Sequence, residues 1–169
     1  MSCRPGSEPD EPFLREVFFE IRSPEFELAE LSQRQLQELL GHQFQARSVQ
    51  FAGVFPSAQY RVLTREGIDV GYELVLFGPE ILLIDIAVRP RFQNQGIGTA
   101  RMRGLLAEAA IEGKSVALSV EIFNPARRLF ERLGFTEYED SGIYKRMRWT
   151  YAAQRQSSIS PLFGMTVPE

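Results

Sequence analysis

A nearly all-apolar run, Ile81–Val88, is followed by a glycine-rich loop and by a segment with helical spacing at 97–112. An apolar run of this length indicates a strand that is covered on both faces of a sheet. A second buried strand is predicted at 115–122, so the order is strand, helix, strand. This order favours a right-handed crossover between two parallel strands. The unit therefore predicts an α/β protein, a mixed sheet with helices packed on its faces.

The remaining periodicity predicts further strands and helices on both sides of this unit. In chain order they are a strand at 2–5, a helix capped by Asp10, a helix at 32–51, strands at 60–65 and 68–77, a helix that begins after Asn124, and a hairpin at 135–138 and 143–149. We therefore expect a sheet of six to seven strands with about four helices. Residues 1–149 are expected to form one domain, followed by a polar tail at 150–169 that is either docked or disordered.

The composition excludes several classes of function. The chain has 169 residues, a net charge of −3 and no basic block, which argues against nucleic acid as the main partner. Cys3 and His42 are single residues of their kinds, so neither a disulfide framework nor a thiolate or histidine metal site is expected. No apolar run reaches the ~18 residues of a membrane span, and the first ten residues do not resemble a signal peptide. We expect a soluble cytoplasmic protein without a membrane partner.

The loop at 91–99 lies between a strand and a helix, where free backbone N–H groups and the helix dipole suit phosphate oxygens. A dinucleotide-binding motif would need a third glycine three residues after Gly98, but that residue is Arg101. A nucleotide-binding P-loop is imitated by residues 113–115, but these follow a helix instead of preceding one, and Glu108 replaces the first glycine. Hydride transfer and nucleotide hydrolysis are therefore both disfavoured.

The pattern Gln93-x-x-Gly96-x-Gly98 resembles the acyl-CoA-binding motif, Arg/Gln-x-x-Gly-x-Gly/Ala, of the GNAT superfamily of N-acyltransferases. Residues 124–135 resemble the second hallmark of that superfamily, Asn-x-x-Ala-x-x-(Leu)-Tyr-x-x-Leu-Gly-Phe, at the usual distance. The resemblance is specific over about 81–149. It implies a GNAT-like fold and an N-acetyltransferase that moves an acetyl group from acetyl-CoA to a primary amine by direct attack. Acetyl-CoA would be the co-substrate, and no metal is implied.

The same resemblance implies where CoA would bind. The loop amides would hold the pyrophosphate, and the pantetheine arm would lie between the two parallel strands. The N–H of Val88 would stabilise the developing oxyanion. The implied CoA-binding residues are Ile86, Ala87, Val88, Gln93, Asn94, Gln95, Gly96, Ile97, Gly98, Thr99, Asn124, Arg127 and Phe130. Arg91, Arg127 or Arg128 would contact the CoA phosphates, and an ordinary solvated arginine is an equal alternative for each.

The general acid is left open. The superfamily often has a tyrosine where this chain has Phe130, and a phenyl ring cannot donate a proton. Tyr144, Tyr138 and water are the alternative proton donors. A thiol with a pKa of ~8.5 also leaves tolerably without help.

Three carboxylates are candidates for the general base: Asp85, Glu121 and Glu73. Asp85 interrupts an apolar strand, and a buried carboxylate without a partner is costly. It is therefore expected to have a partner, a raised pKa or access to a cleft. For each of the three, a structural salt bridge to an arginine is an equal alternative.

Two functions remain open. One is the N-acetyltransferase, whose acceptor would be a small-molecule or peptide amine. The other is a CoA-binding regulatory or interaction module with little or no catalysis, which is suggested by Phe130. A homodimer is compatible with either.

Overall fold

The structure, a computed structural model, describes residues 1–151. These residues form one seven-stranded sheet in the order β1-β2-β3-β4-β5-β7-β6. The strands are β1 (Ser2–Pro5), β2 (Gln59–Arg65), β3 (Ile68–Leu76), β4 (Ile81–Val88), β5 (Val116–Glu121), β6 (Thr136–Asp140) and β7 (Tyr144–Trp149). The α-helices are α1 (Glu11–Arg22), α2 (Gln33–Val54), α3 (Ile97–Ile111) and α4 (Ala126–Arg132). The predicted mixed sheet with about four helices is confirmed. The predicted tail, apart from its first two residues, lies outside the described residues.

β4 and β5 are parallel neighbours, as the strand-helix-strand unit predicts, but they pair over only a short length. The paired residues run from Ile81 opposite Val116 to Leu83 opposite Leu118. Beyond Leu83 no pairing between the two strands is present. The strands therefore separate toward their carboxyl ends, and a gap opens in the middle of the sheet.

A β-bulge in β4 changes which face its later side chains occupy. Leu74 of β3 is opposite Asp85, whereas the next residue, Val75, is opposite Leu83, so Ile84 is unpaired. Strict alternation would place Leu83 and Asp85 on the same face. Because one residue is inserted between them, the two side chains lie on opposite faces. The bulge thus turns Asp85 away from the core that contains Leu83.

The sheet has a hydrophobic core on each face. On one face, buried side chains of β4 and β5 pack against α3 and α4. This core includes Leu83, Leu105, Val116, Leu118 and Phe130. On the other face α1 and α2 cover the sheet, because their apolar residues recur at helical spacing. This core includes Leu14, Val17, Phe18, Leu40, Phe44 and the sheet residues Tyr72 and Ala87.

Side-chain caps begin two of the helices, whereas the cap predicted at Asp10 is absent. The side chain of Ser32 accepts a hydrogen bond from Gln35 N–H and begins α2, and Asn124 Oδ1 accepts one from Ala126 N–H at the start of α4. Asp10 does not cap α1 as predicted. Its carboxylate instead accepts hydrogen bonds from the N–H of Ser7 in the preceding turn and from Arg4 of β1.

Candidate functional site

A cavity of about 930 Å³ occupies the gap between the diverging strands. Its walls come from β4, β5, the α1–α2 pair and the beginning of α4. The cavity brings together several residues that the sequence predicts for the site. These are Asp85, Ile86, Ala87, Glu121, Asn124, Phe130 and Tyr144.

Two backbone N–H groups of β4 point into the gap. The N–H of Arg89 donates to the carbonyl of Val70 on β3, at 2.9 Å. Because successive N–H groups of a strand alternate in direction, those of Val88 and Ile86 point away from β3. β5 no longer pairs with β4 at this level, so these groups are available to a ligand. This arrangement fits an extended chain that adds to the strand edge.

The glycine loop presents backbone amides beside this gap. Asn94 and Gly96 have positive φ values of 59° and 77°, which turn the chain sharply into α3. No atom lies within 4 Å of a Cβ placed on Gly96, so the backbone here is uncovered. The first three amides of α3, those of Ile97, Gly98 and Thr99, have no helical acceptor. Together with the helix dipole they form a site suited to phosphate oxygens.

Two glutamine side chains brace the loop instead of extending from it. Gln93 Nε2 donates to the carbonyl of Val88 at 2.8 Å, and Gln95 Nε2 donates to that of Arg91 at 2.9 Å. Gln95 Oε1 in turn accepts from Arg65 at 3.0 Å. The glutamines therefore hold the loop on the end of β4. Arg127 is farther removed: it forms an exposed pair with Glu131 at 2.8 Å and is not part of the cavity wall.

Asp85 has one arginine partner and one oxygen without any. Arg47 of α2 approaches Oδ1 at 2.7 Å, and the side chain of Asp85 is 15% exposed. The second oxygen, Oδ2, is buried and has no hydrogen-bond partner among residues 1–151. The guanidinium of Arg47 also lies over the rings of Phe18 and Phe51, at 5.6 and 5.0 Å. The expectation that Asp85 has a partner or access to a cleft is thus confirmed in both respects.

Two tyrosines border this ion pair. Burial raises the pKa of Tyr72, and the negative charge of Asp85 raises it further. The pKa of Tyr60 is raised by the same two causes. The rings contact each other edge to face, with centroids 5.9 Å apart. Both hydroxyls therefore stay protonated at neutral pH and can donate hydrogen bonds but cannot act as bases.

Glu73 is not part of the cavity wall. It is fully buried on the opposite face of the sheet, where Arg101 Nε approaches Oε2 at 2.6 Å and Arg61 Nε approaches Oε1 at 3.3 Å. Of the alternatives for Glu73, the structural salt bridge is the one that is present.

The two tyrosines that could replace Phe130 as an acid differ in position. Phe130 is buried, packs on Phe135 with ring centroids 5.8 Å apart and lines the cavity. Tyr144 also lines the cavity, directly opposite Glu121 in the β5–β7 register. Tyr138 lies under the guanidinium of Arg148, at 4.3 Å, and outside the cavity wall. Its position in the cavity wall therefore favours Tyr144 over Tyr138 as the candidate proton donor.

The sequence did not single out the individual α1 and α2 residues that line the cavity. Arg22 of α1 and three polar residues of α2, Gln43, Arg47 and Gln50, line it. The α2 residues recur at i, i+4 and i+7, which places them on one face of the helix. This polar stripe is visible in the sequence, but nothing there says which strand it faces.

Within residues 1–151 there is no group of three or more His, Cys, Asp or Glu side chains that could hold a metal ion. In that part of the chain no helix combines the length and the apolar character that crossing a membrane requires.

Residues 56–137 match the family model described as an acetyltransferase (GNAT) domain. No curated protein sequence matches the chain. Among solved structures, the chain is similar to PaiA N-acetyltransferase from Thermoplasma acidophilum in complex with coenzyme A. The TM-score is 0.64 at 14% identity, over 89% of this chain and 100% of that one.

Two further solved structures have the same fold. An acetyltransferase from Thermus thermophilus aligns with a TM-score of 0.63 at 22% identity, over 88% of this chain and 95% of that one. A spermidine N-acetyltransferase SpeG chimera from Vibrio cholerae and hSSAT aligns with a TM-score of 0.61 at 19% identity, over 92% and 99%. The predicted GNAT-like fold is confirmed.

Proposed function

Because this chain carries an acetyltransferase domain of the GNAT family, we propose that it transfers an acetyl group from acetyl-CoA to a primary amine by direct attack. The amine nitrogen bonds to the thioester carbonyl carbon and the carbon–sulfur bond breaks. The amine loses a proton to a base, and the thiolate takes one up. Acetyl-CoA supplies the activated acetyl group; the chain's own residues bind, orient and move protons.

The observation that carries this proposal is the open edge of β4 next to the first turn of α3. The N–H groups of Ile86 and Val88 face a gap that no described strand fills. Pantetheine is an extended chain with amide groups, so it suits such an edge. The amides from Gly96 to Thr99, which have no acceptor within the helix, suit a pyrophosphate. The residues present therefore fit CoA.

The reaction needs three roles, and groups around the cavity would fill each of them. The N–H of Val88 would stabilise the oxyanion that develops on the thioester carbonyl. Asp85, which lines the cavity and whose side chain is 15% exposed, would accept the amine proton directly or through water. Glu121, whose carboxylate has no ion-pair partner among the described residues, is the second candidate for this role. Tyr144 would supply the proton to the thiolate, directly or through water.

The CoA-binding module without turnover is kept as a second function because of Phe130. Its ring fills the place where a tyrosine often stands in the superfamily, and it cannot donate a proton. If Tyr144 does not compensate, the cavity would bind CoA without releasing thiol at a useful rate.

Thermal stability with different ligands tests the donor. Acetyl-CoA at ~100 times its Kd should stabilise the protein by about 2.7 kcal/mol, whereas ATP and NAD should leave the Tm unchanged. A Tm that rises with ATP or NAD and not with acetyl-CoA would contradict the proposal.

Thiol release with a panel of amines then separates the N-acetyltransferase from the CoA-binding module. Tight acetyl-CoA binding without turnover on any amine would favour the module.

A pair of glycine variants tests the loop. Gly96→Glu should abolish acetyl-CoA binding, because it places a bulky anion where the pyrophosphate would lie. Gly113→Glu is the matched control: Gly113 also has a positive φ, 65°, and open space for a Cβ, but it lies at the other end of α3. Both variants carry the same backbone strain. Equal acetyl-CoA affinity in the two would overturn the assignment.

A further inference from the structure

The sheet face that α1 and α2 cover is open on the far side of the cavity. The two helices pack on this face over β3 and β4. Leu118 and Val120 of β5 belong to the core on the opposite face. Because side chains of a strand alternate, Ser119 and Glu121 point to the face of α1 and α2. Both residues are exposed, so this part of the face is accessible.

Cross-strand neighbours extend the open face to β7 and β6. Directly paired residues of two antiparallel strands share a face. Tyr144 is opposite Glu121, Arg146 is opposite Ser119, and Glu139 of β6 is opposite Arg146. These neighbours are exposed too, and Arg146 Nη1 donates to Glu139 Oε2 at 2.8 Å. We call the surface formed by Ser119, Glu121, Tyr144, Arg146 and Glu139 the shelf.

The shelf is continuous with the part of the cavity where an amine would react. Ser119, Glu121 and Tyr144 belong both to the shelf and to the cavity wall. Asp85, the candidate base, pairs with Arg47 of α2 and therefore faces the same side of the sheet. α3, whose first turn suits the CoA phosphates, packs on the opposite side. CoA thus leaves the α1–α2 side to the acceptor, and any part of the acceptor outside the cavity would lie on the shelf.

The dimensions and side chains of the shelf suit an extended polypeptide. Neighbouring strands are about 4.8 Å apart, so β5 to β6 spans about 10 Å, the length of about three extended residues. Its hydroxyl, carboxylate and guanidinium groups can pair with peptide N–H and C=O groups. Tyrosine and arginine are also side chains that protein interfaces favour. A small amine that fits inside the cavity would leave all of these groups unused.

Apolar surface lies at the cavity end of the shelf. Phe123, in the loop after β5, is 96% exposed, and Ile143, which precedes Tyr144, is 67% exposed. The N–H of Ile122 donates to the carbonyl of Ile143 at 3.0 Å and joins the two loops. Side chains of a bound polypeptide could therefore make apolar contacts here in addition to polar contacts on the shelf.

We infer that the acceptor is a polypeptide, and that the shelf binds about three of its residues next to the one that carries the reacting amine. The amine enters the cavity beside Asp85 and Glu121, and the chain crosses β5, β7 and β6 in extended form. An N-terminal amine and a lysine side chain both offer the primary amine that the transfer needs. The inference rests on the proposed function, because it names the acceptor class of that reaction.

Acceptors of increasing length test the class. One series is serinamide and amidated Ser-Ala peptides of two, four and six residues. With kcat/KM expressed per unprotonated amine, the four-residue peptide should exceed serinamide by at least about tenfold. Two further residues should add less than about twofold, because the shelf ends at β6. A second series, acetylated at the N-terminus and containing one lysine, distinguishes the two kinds of amine. No rise with length in either series would overturn the inference.

Arg146→Ala tests the shelf itself. The advantage of the four-residue peptide over serinamide should fall below about threefold, as expected for truncation of an interface arginine. Lys145→Ala is the matched control and should keep the advantage. Lys145 is the preceding residue and also has a carboxylate partner, Glu137 at 2.6 Å, but it is opposite Val120 and lies on the other face. Glu139→Ala gives a second reading of the shelf. An advantage that persists in both shelf variants would overturn the inference.

A binding measurement keeps this inference separate from the proposed function. In the presence of CoA, the six-residue peptide labelled at its carboxyl end should bind the wild type at least about fivefold more tightly than Arg146→Ala, by fluorescence anisotropy. If acetyl-CoA binds and no amine is acetylated, this difference still supports the shelf and only the transfer reaction fails. If amines are acetylated without any effect of peptide length or of Arg146→Ala, the reaction stands and the acceptor class is wrong.

Sedimentation distinguishes a polypeptide acceptor from a second copy of the chain on the shelf. The mass in solution should be the same for the wild type and Arg146→Ala. A dimer that Arg146→Ala dissociates would assign the shelf to a second copy and overturn the inference.

Discussion

Two carboxylates sit on neighbouring strands near the centre of this sheet and have opposite surroundings. Glu73 of β3 is fully buried between Arg101 and Arg61, and Glu108 of α3 closes the network by pairing with both arginines. Asp85 of β4 has a single arginine partner, and its side chain is 15% exposed and lines the cavity. The first carboxylate is enclosed by cations, and the second is partly open to a ligand.

The difference shows that burial alone does not identify a functional carboxylate. Glu73 is the more deeply buried of the two, yet it ties the sheet to α3 and has no access to the cavity. Asp85 faces the cavity because of the bulge at Ile84. Partner number and the direction of the side chain therefore distinguish a structural charge from a candidate base. The comparison predicts that stability depends on the Glu73 network and activity on Asp85.

The largest expected effect follows from removing a cation from the Glu73 network. Arg101→Met should lower the free energy of unfolding by about 3–5 kcal/mol, because it leaves a buried carboxylate without its closest partner. Urea denaturation measures the change. The double variant Arg101→Met/Glu73→Met should recover much of the loss, since the buried charge is then gone. A loss in the single variant below about 1 kcal/mol would mean that the network is not structural.

Substitution of Asp85, which lines the cavity, should reduce kcat and leave stability nearly unchanged. Asp85→Asn should reduce kcat at least about a hundredfold, the lower end for loss of a general base, and change stability by less than about 1 kcal/mol. Arg47 then loses its partner but keeps contact with solvent, being one third exposed. Glu121→Gln is the comparison variant, and steady-state kinetics with urea denaturation measure both. A larger loss of kcat in Glu121→Gln would transfer the role of base to Glu121.

How far the sequence predicts this architecture depends on the range of the interactions involved. Most strands and helices are predicted within a few residues, since apolar periodicity, caps and glycines are local signals. Asp85 is recognisable as unusual because a charge interrupts an apolar strand. The face it occupies is not predictable, because the bulge at Ile84 arises from pairing with β3 and has no glycine or proline to mark it.

The α1–α2 side of the cavity wall could not be predicted for a related reason. Arg47 meets Asp85 across 38 positions of sequence, and Arg22 reaches the same cavity from another helix. Helical spacing shows that Gln43 and Arg47 share a face, but the packing of α1 and α2 on the sheet decides what that face contacts. Asp10 illustrates the opposite error, in which a good capping residue is recruited by Arg4 and Ser7 instead.

A smaller effect on kcat is expected when Tyr144, the tyrosine that lines the cavity, is substituted. Tyr144→Phe should reduce kcat about tenfold, less than the range for a full general acid because a thiol leaves without much help. Tyr138→Phe is the matched control. It makes the same chemical change outside the cavity wall and should leave kcat unchanged. Stopped-time assays of thiol release compare the two. Equal rates in both variants would assign the proton to water and not to Tyr144.

The smallest expected effect is a pH dependence of stability within the Glu73 network. Burial raises the pKa of Glu108, but hydrogen bonds from Arg61 and Arg101 outweigh burial, so its pKa lies below the ordinary value. A lowered pKa means that the stabilisation is complete above the unfolded value of about 4.3 and is lost as the pH falls through the folded value. The contribution should stay below about 1 kcal/mol, because the side chain is more than one third exposed.

Glu108→Gln isolates this contribution. At neutral pH the variant should be slightly less stable than the wild type in urea denaturation, and the difference should shrink as the solution is acidified below about pH 4. The reason is that the wild-type carboxylate becomes protonated there and resembles the amide. Glu38→Gln is the control, since Glu38 forms an exposed pair on α2 away from the network. A difference between Glu108→Gln and wild type that does not change with pH would show that Glu108 stabilises the protein through packing and not through its charge.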